Sequence, residues 1–516
     1  MGKVLQLTLV LILFITSAGI AQDKDEVLER IVTEATENSQ IEELAHHLTD
    51  VIGPRLVGTP QMQNAHDWAV ETFEGWGISA RNEQYGEWRG WERGITHVDL
   101  ISPRVVSLEA MQLAWSPSTP EDGITAGMIT LPEVVDSLEF AEWISNVDGK
   151  FVMTSMLQPT GRPEYNWEEF ATEESLEKMK ETRESTTTAW RENMGRTGHN
   201  NRSLVQALEE AGAVGIVQSN WSQGFGVNKI FGANTENIPT VDMLLEDYGM
   251  LYRMVESGAG PEIRVNAQSK DHGMVPTFNT IAEIPGTEKP DEYIILSAHY
   301  DSWDGGTGAT DNATGSVTMM EVARILKEIY PNPKRTILVG LWGGEEQGLN
   351  GSRAFVEDNS EIVDNIQALF NQDNGTGKVI DINGQGFLNS YDYLTRWLSA
   401  VPTDVSQHIE TNFPGTPSGG GTDHASFVAA GAPAFVLRSL NWSYWNYTWH
   451  TNRDTYDKIV FDDVRNNVIL IATMVYMASE DPETTDRTKR VLPINPRTGE
   501  QMTWPEQRSP NRNGGN

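Results

Sequence analysis

His299, Asp301, Asp311, Glu345, Glu346, Asp373 and His450 are the residues of this chain whose types and order could do chemistry together. Three short apolar runs lead to most of them. Tyr293-Ile294-Ile295-Leu296 precedes His299 and Asp301, Arg335–Leu341 precedes Glu345 and Glu346, and Ile366–Phe370 precedes Asp373. Such runs read as buried strands, and open α/β sheets place their sites at the carboxyl ends of strands. His299 and Asp301 flank Tyr300, and residues two apart on an extended strand point the same way. A Gly-rich loop then carries Asp311 and Asn312 into a helical segment, Ala313–Ile329. Taken alone, His299 reads equally well as a loop histidine in a salt bridge with Asp301. A single carboxylate after a strand is ordinary. Three strands that each end this way, with Asp311 and a late His450 besides, form a set that chance explains poorly.

The set fits one chemistry. Two zinc ions need several negative ligands and some imidazoles. Asp311 is the candidate for a carboxylate bridging both ions. An adjacent Glu-Glu pair lets one carboxylate bind metal while the other faces the water between the ions. Divalent metals acidify a bound water toward neutrality, and a pair of them stabilises both the attacking and the leaving group. Glu345 would take the water's proton and pass it to a leaving amine. Other hydrolytic plans lack their residues. There is no G-x-S-x-G elbow and no H-E-x-x-H helix. The chain has no cysteine, which excludes disulfides, zinc–thiolate sites and a thiol nucleophile.

The elements that must position these groups fill a long chain. With 516 residues and 38% hydrophobic content it can bury a large core and form two to four domains. A net charge of −35 repels nucleic acid and anionic lipid, so neither is expected as a partner. Met1-Gly2-Lys3, the apolar Val4–Ile15 and the small residues before Ala21 read as a signal peptide cut after Ala21. No later segment is apolar enough to span a membrane, so a secreted or periplasmic protein is expected. Helical periodicity runs from Asp25 to Phe73, broken by Gly53–Pro60. His46, His47 and His66 on these helices read as capping or surface residues. A composition change near Pro117–Gly123 opens a second alternation of strands and helices, to about Ser269. No ligand or nucleophile set lies in it, so its expected role is to cover or shape a cleft. Asp462–Ala478 reads as a closing helix, and the Pro-, Arg-, Asn- and Gly-rich end as disordered. His97, His199, His272 and His408 read as surface residues; His424 is equally a core or a substrate-contacting one. Arg438 is a candidate for a substrate carboxylate, with a salt bridge the plainer reading. Asn220, Asn441 and Asn446 begin glycosylation sequons.

At the clustered residues the chain resembles the di-zinc co-catalytic exopeptidases that include bacterial leucyl aminopeptidases and the carboxypeptidase Q branch. The matching motifs are His299-Tyr300-Asp301, Asp311-Asn312 with Gly315, Glu345-Glu346-Gln347-Gly348, Asp373, and His450 followed by Asp454-Thr455. Gly53–Thr59 is similar to the opening of that branch, and Gly421-Thr422-Asp423-His424 to a substrate-side loop. The resemblance implies one zinc on His299 and Asp373 and another on Glu346 and His450. Asp311 would bridge them, with a strained link to Asn312 for which cis is the candidate geometry. Glu345 would be the general base and Asp301 the partner orienting His299. It also implies an α/β fold: a mixed eight-stranded sheet with helices on both faces, plus an inserted, smaller α/β protease-associated domain. The division is then a signal peptide at 1–21, a peptidase domain at 22–118 and 271–480, the insert at 119–270, and a disordered tail at 481–516. The implied substrate is a peptide or dipeptide cut at one end; a homodimer is compatible with the sequence. The rival reading is a receptor-like ectodomain of the same fold that has lost its metals, which intact ligand positions argue against.

Overall fold

Ile294, Leu296 and Ala298 pack into one apolar cluster of the protein, and Ile295 between them packs into another. The same alternation recurs in the next strands. Ile337, Val339 and Leu341 face the first cluster while Leu338 and Trp342 face the second; Ala368 and Phe370 face the first while Leu369 faces the second. Successive side chains of a strand point to opposite faces, and a sheet covered on both faces needs apolar residues at every position. That is why these runs are continuous rather than alternating.

The computed structural model describes residues 24–514. The signal peptide expected at 1–21 lies outside them. Among the described residues no helix is long and apolar enough to cross a membrane. Lys289–His299 is the central strand, parallel to Arg335–Trp342 on one side and to Ile366–Asn371 on the other. Ala434–Ser439 continues the parallel set, and Val379–Asn383 is added antiparallel to it. On the opposite edge Glu262–Ile284 pairs antiparallel with Arg335–Trp342. One face is covered by helices Thr314–Ile329 and Phe461–Glu480 and by the N-terminal helices; Asn350–Asp358 and His424–Ala429 cover the other. The architecture is a large mixed sheet with helices on both faces.

Among the described residues the hydrogen-bonded sheet comprises 15 strands, 12 of them along one path. The cause of that extent is a pair of very long strands, Ser79–Ser102 and Glu262–Ile284, which pair antiparallel along their length. Residues 280–284 pair with Arg335–Trp342, while 262–265 pair with Ile124–Thr130, in the segment expected as an insert. A separate apolar cluster contains Val98, Leu100 and Leu108 as well as Val217, Val241 and Leu251. Strand Ala110–Gln112 pairs with Thr240–Met243. A division at 118/119 therefore cuts through this small sheet, because period-two alternation does not record where a strand changes partner.

The expectation of a disordered tail at 481–516 is corrected up to residue 514. The Trp397 indole donates to the Asp481 carboxylate at 2.8 Å, and Arg487 donates to the carbonyls of Val363 and Ile366. Trp504 donates its indole N–H to the Val428 carbonyl. Asn513 and Gly514 pair with Glu87 and Trp88. The tail lacks periodicity because it is a belt held by single anchors, with a strand only at Asn513–Gly514. His66 is corrected as well: it is buried, against Tyr300, with Nδ1 2.8 Å from the Thr280 hydroxyl.

Candidate active site

The chain crosses the carboxyl edge of the sheet repeatedly, and each crossing leaves one polar side chain in the same place. His299 ends the central strand. Its Nε2 lies 3.1 Å from Asp373 Oδ1 and 3.3 Å from Asp311 Oδ1. His450 Nε2 lies 2.8 Å from Glu346 Oε2 and 3.3 Å from Asp311 Oδ2. Two groups of ligand atoms result, His299–Asp311–Asp373 and Asp311–Glu346–His450, each within 4.8 Å and sharing Asp311. Glu345 belongs to neither.

The supporting contacts explain how a loop holds these positions. His299 Nδ1 meets the Asp301 carbonyl oxygen at 3.0 Å. A carbonyl can only accept, so Nδ1 carries a proton and Nε2 faces the carboxylates. The Asp301 carboxylate is 3.8 Å from that ring. Its two oxygens instead accept the backbone N–H groups of Glu345 at 3.1 Å and Glu346 at 3.2 Å. Asp301 thus contacts the His299 ring through its backbone carbonyl and grips the Glu-Glu turn through its side chain. Asp454 does the same for Asp311, accepting the N–H groups of Thr310 and Asp311. The Asp311–Asn312 peptide is cis.

Arg55, from the helix-breaking Gly53–Pro60 segment, is fully buried. Its guanidinium donates to the carbonyls of Gly53, Tyr300, Thr307 and Gly308, so it clamps both ends of the site loop. Sequence reasoning had no role for it. A second residue it missed is Tyr444, buried in the wall of a cavity of about 520 Å³ beside Asp373. Its sequence carried no signal: the turn before it is set by positive φ at Trp442 and Ser443, 43° and 59°, which those residue types do not announce. His424 and Arg438 line the same cavity. His424 is 2% exposed, with neither ring nitrogen bonded among the described residues, whereas Arg438 is more than half exposed, 4.0 Å from Asp381.

The electrostatics are those of a site crowded with acids. Burial, with Asp373, Asp423 and Glu346 nearby, pushes the Glu345 carboxyl well above its ordinary value. Burial and Asp311 do the same to Glu346. Burial alone would lower His299, but Asp373, Asp301 and Asp311 drive it well above its ordinary value. Asp311 goes the other way: burial acts to raise it, and His299, His450 and then the Tyr444 hydroxyl outweigh that and lower it. Burial lowers His450 to about 4. Asp311 Oδ2 and Glu346 Oε1 are buried with no hydrogen-bond partner among the described residues. Buried carboxylate oxygens without partners, facing two imidazoles, suit divalent cations.

A pH dependence follows for the metal-free protein. Burial raises Asp423 and Asp454 to about 7, and Glu345, Glu346 and His299 are raised too. A group raised on folding contributes stability below its unfolded pKa and loses it as pH climbs through the folded one. His450 opposes this only below 6.5, and lowered Asp311 only below 3.8. Chelated protein is therefore expected to lose stability as pH rises from 6.5 through 7. Metal uptake, which needs deprotonated ligands, should then release protons. Melting of chelated protein across that window and zinc calorimetry in two buffers of different ionisation heat check this; a flat melting profile with no proton release would refute it.

With no serine or cysteine nucleophile in the cluster, such a cleft is the kind found in metal-dependent hydrolases. Residues 279–475, which contain every residue of the cluster, match the model of peptidase family M28. Carboxypeptidase Q of Homo sapiens is 26% identical over 437 residues, 84% of this chain and 83% of that protein. Its counterpart in Mus musculus is 26% identical over 449 residues, 86% of each. Among solved structures, a peptidase M28 precursor from Shewanella amazonensis is similar with a TM-score of 0.64 at 23% identity, covering 90% of this chain and 99% of that one. A zinc aminopeptidase from Bacillus subtilis gives 0.56 at 17% identity, covering 87% and 97%. The last two are likenesses of fold.

Proposed function

We propose that this chain is an exported exopeptidase that hydrolyses a terminal bond of peptides or dipeptides with two zinc ions. The observation that carries it is the pair of ligand groups sharing Asp311. His299 and Asp373 would hold one ion, Glu346 and His450 the other, and Asp311 both. Bound there, two zinc ions would acidify a water and draw charge from the scissile carbonyl. Glu345 stands outside both groups on a backbone held by Asp301. It would take the water's proton and return it to the leaving nitrogen. The Tyr444 hydroxyl, which acts on the Asp311 carboxyl, would donate toward the carbonyl oxygen as that oxygen gains charge. The insert supplies no ligand and forms one wall of the cleft through Phe231, whose ring lies edge-on to His450. Export rests on the signal-like residues 1–21.

The test uses purified full-length protein. Up to two zinc ions per chain are expected, with peptidase activity lost to a chelator and regained with zinc. A panel of free dipeptides, dipeptides blocked at either end and aminoacyl anilides identifies the end that is trimmed. Full activity in protein shown by elemental analysis to be free of metal would sink the mechanism.

A further inference from the structure

Residues 226–231 of the insert lie against the loop that carries His450. Ile230 donates its backbone N–H to the His450 carbonyl at 2.8 Å, and Asn452 donates to the Asn228 carbonyl at 3.1 Å. The Asn452 side chain accepts the Asn228 N–H at 2.9 Å. Lys229 and Thr451 form an antiparallel bridge between the two segments. Arg453 Nε donates to the Gly226 carbonyl at 2.8 Å. Lys229 reaches furthest: its ammonium donates to the carbonyls of Trp445 at 2.9 Å and Trp449 at 3.2 Å, and stands 3.9 Å from the centroid of the Trp449 ring. Trp449 in turn stacks on the His450 imidazole, with centroids 3.9 Å apart and planes at 26°. Phe231 meets that imidazole edge-on at 5.4 Å.

His450 needs outside support. Its φ is 57°, a left-handed conformation that residues with a Cβ rarely adopt unless their surroundings impose it. Its Nδ1 is buried and has no hydrogen-bond partner among the described residues. A metal-binding histidine normally donates its second ring N–H to an acceptor that fixes the ring. His299 has such an acceptor in the Asp301 carbonyl. His450 has aromatic rings in its place, and the cation over the outer ring holds that stack together.

We propose that the 226–231 strap of the insert positions the His450 imidazole for its metal, with Lys229 as the positioning residue that locks Trp449 against it. The proposal rests on the two-zinc reading above. It makes occupancy of one metal position depend on a segment that contributes no ligand.

The experiment is zinc binding to the full chain in competition with a chelator of known affinity. Lys229→Met keeps the aliphatic stem and removes the ammonium. It is expected to weaken one of the two zinc sites by roughly 10–100-fold, the cost typical of losing a partner that orients a ligand. The other site should keep its wild-type affinity, and Lys229→Arg should restore most of the loss. Phe231→Leu, on another side of the imidazole, should weaken the same site and serves if Lys229→Met fails to fold. Wild-type affinity at both sites in folded Lys229→Met, or equal weakening of both, would overturn the proposal. Wild-type protein that binds no zinc would instead sink the two-zinc reading itself.

Discussion

Glu345→Gln is expected to keep both zinc ions and to lose turnover by roughly 10²–10⁴-fold, the range for removing a general base. The amide is nearly the size of the carboxylate but cannot accept the water's proton. Three features make the variant a clean test. Glu345 lies outside both ligand groups. Its backbone N–H is held by Asp301, and the substitution leaves that bond in place. Its carboxyl is raised by burial and neighbouring acids, and the same-sized neutral amide leaves that burial unchanged. Glu346→Ala is the contrast, because it deletes a proposed ligand and should fail through lost metal. Zinc content and turnover on a dipeptide cleaved by the wild type separate the two. Loss of a zinc from Glu345→Gln, or near-normal turnover with both ions present, would mean the roles are wrongly divided.

The parts of this architecture that could be read from the sequence are those with a period or a motif. The strands ending at His299, Trp342 and Asn371 announced themselves as continuous apolar runs because helices cover both faces of the sheet. The clustered residues could be gathered because each follows such a run or sits in a compact motif. Contacts between segments far apart in the chain left no such trace. Arg55 looked like part of a helix break, yet it clamps a loop some 250 residues later. Asp301 was expected to partner His299, but whether its backbone or its carboxylate meets the ring is a matter of a turn's geometry, which residue type does not encode. Lys229 gave no signal because its partners are backbone carbonyls and a ring. The tail misled for the related reason that a belt pinned by Trp504 and Arg487 has the composition of a disordered segment.

Asp311→Asn should be the most damaging single change to metal binding. Asp311 belongs to both ligand groups, with one oxygen facing His299 and the other facing His450. An asparagine offers one acceptor oxygen and one NH₂ group, so it cannot bridge two cations, and the NH₂ end repels the second. Losing an outer partner of a ligand typically costs roughly 10–100-fold in metal affinity. Loss of a shared ligand should cost at least that at both positions, and activity should fall with occupancy. Asp373→Asn and His450→Ala each touch a single group and should spare the other ion. The Asp454 carboxylate still holds the N–H groups of residues 310 and 311, so the loop should keep its course. Unchanged melting of the metal-free variant checks that. Zinc stoichiometry and affinity, measured by chelator competition on all three variants, give the decisive comparison. If Asp311→Asn lost a single zinc and kept the other at wild-type affinity, the shared-carboxylate arrangement would be wrong, and with it the case for a water held between two ions.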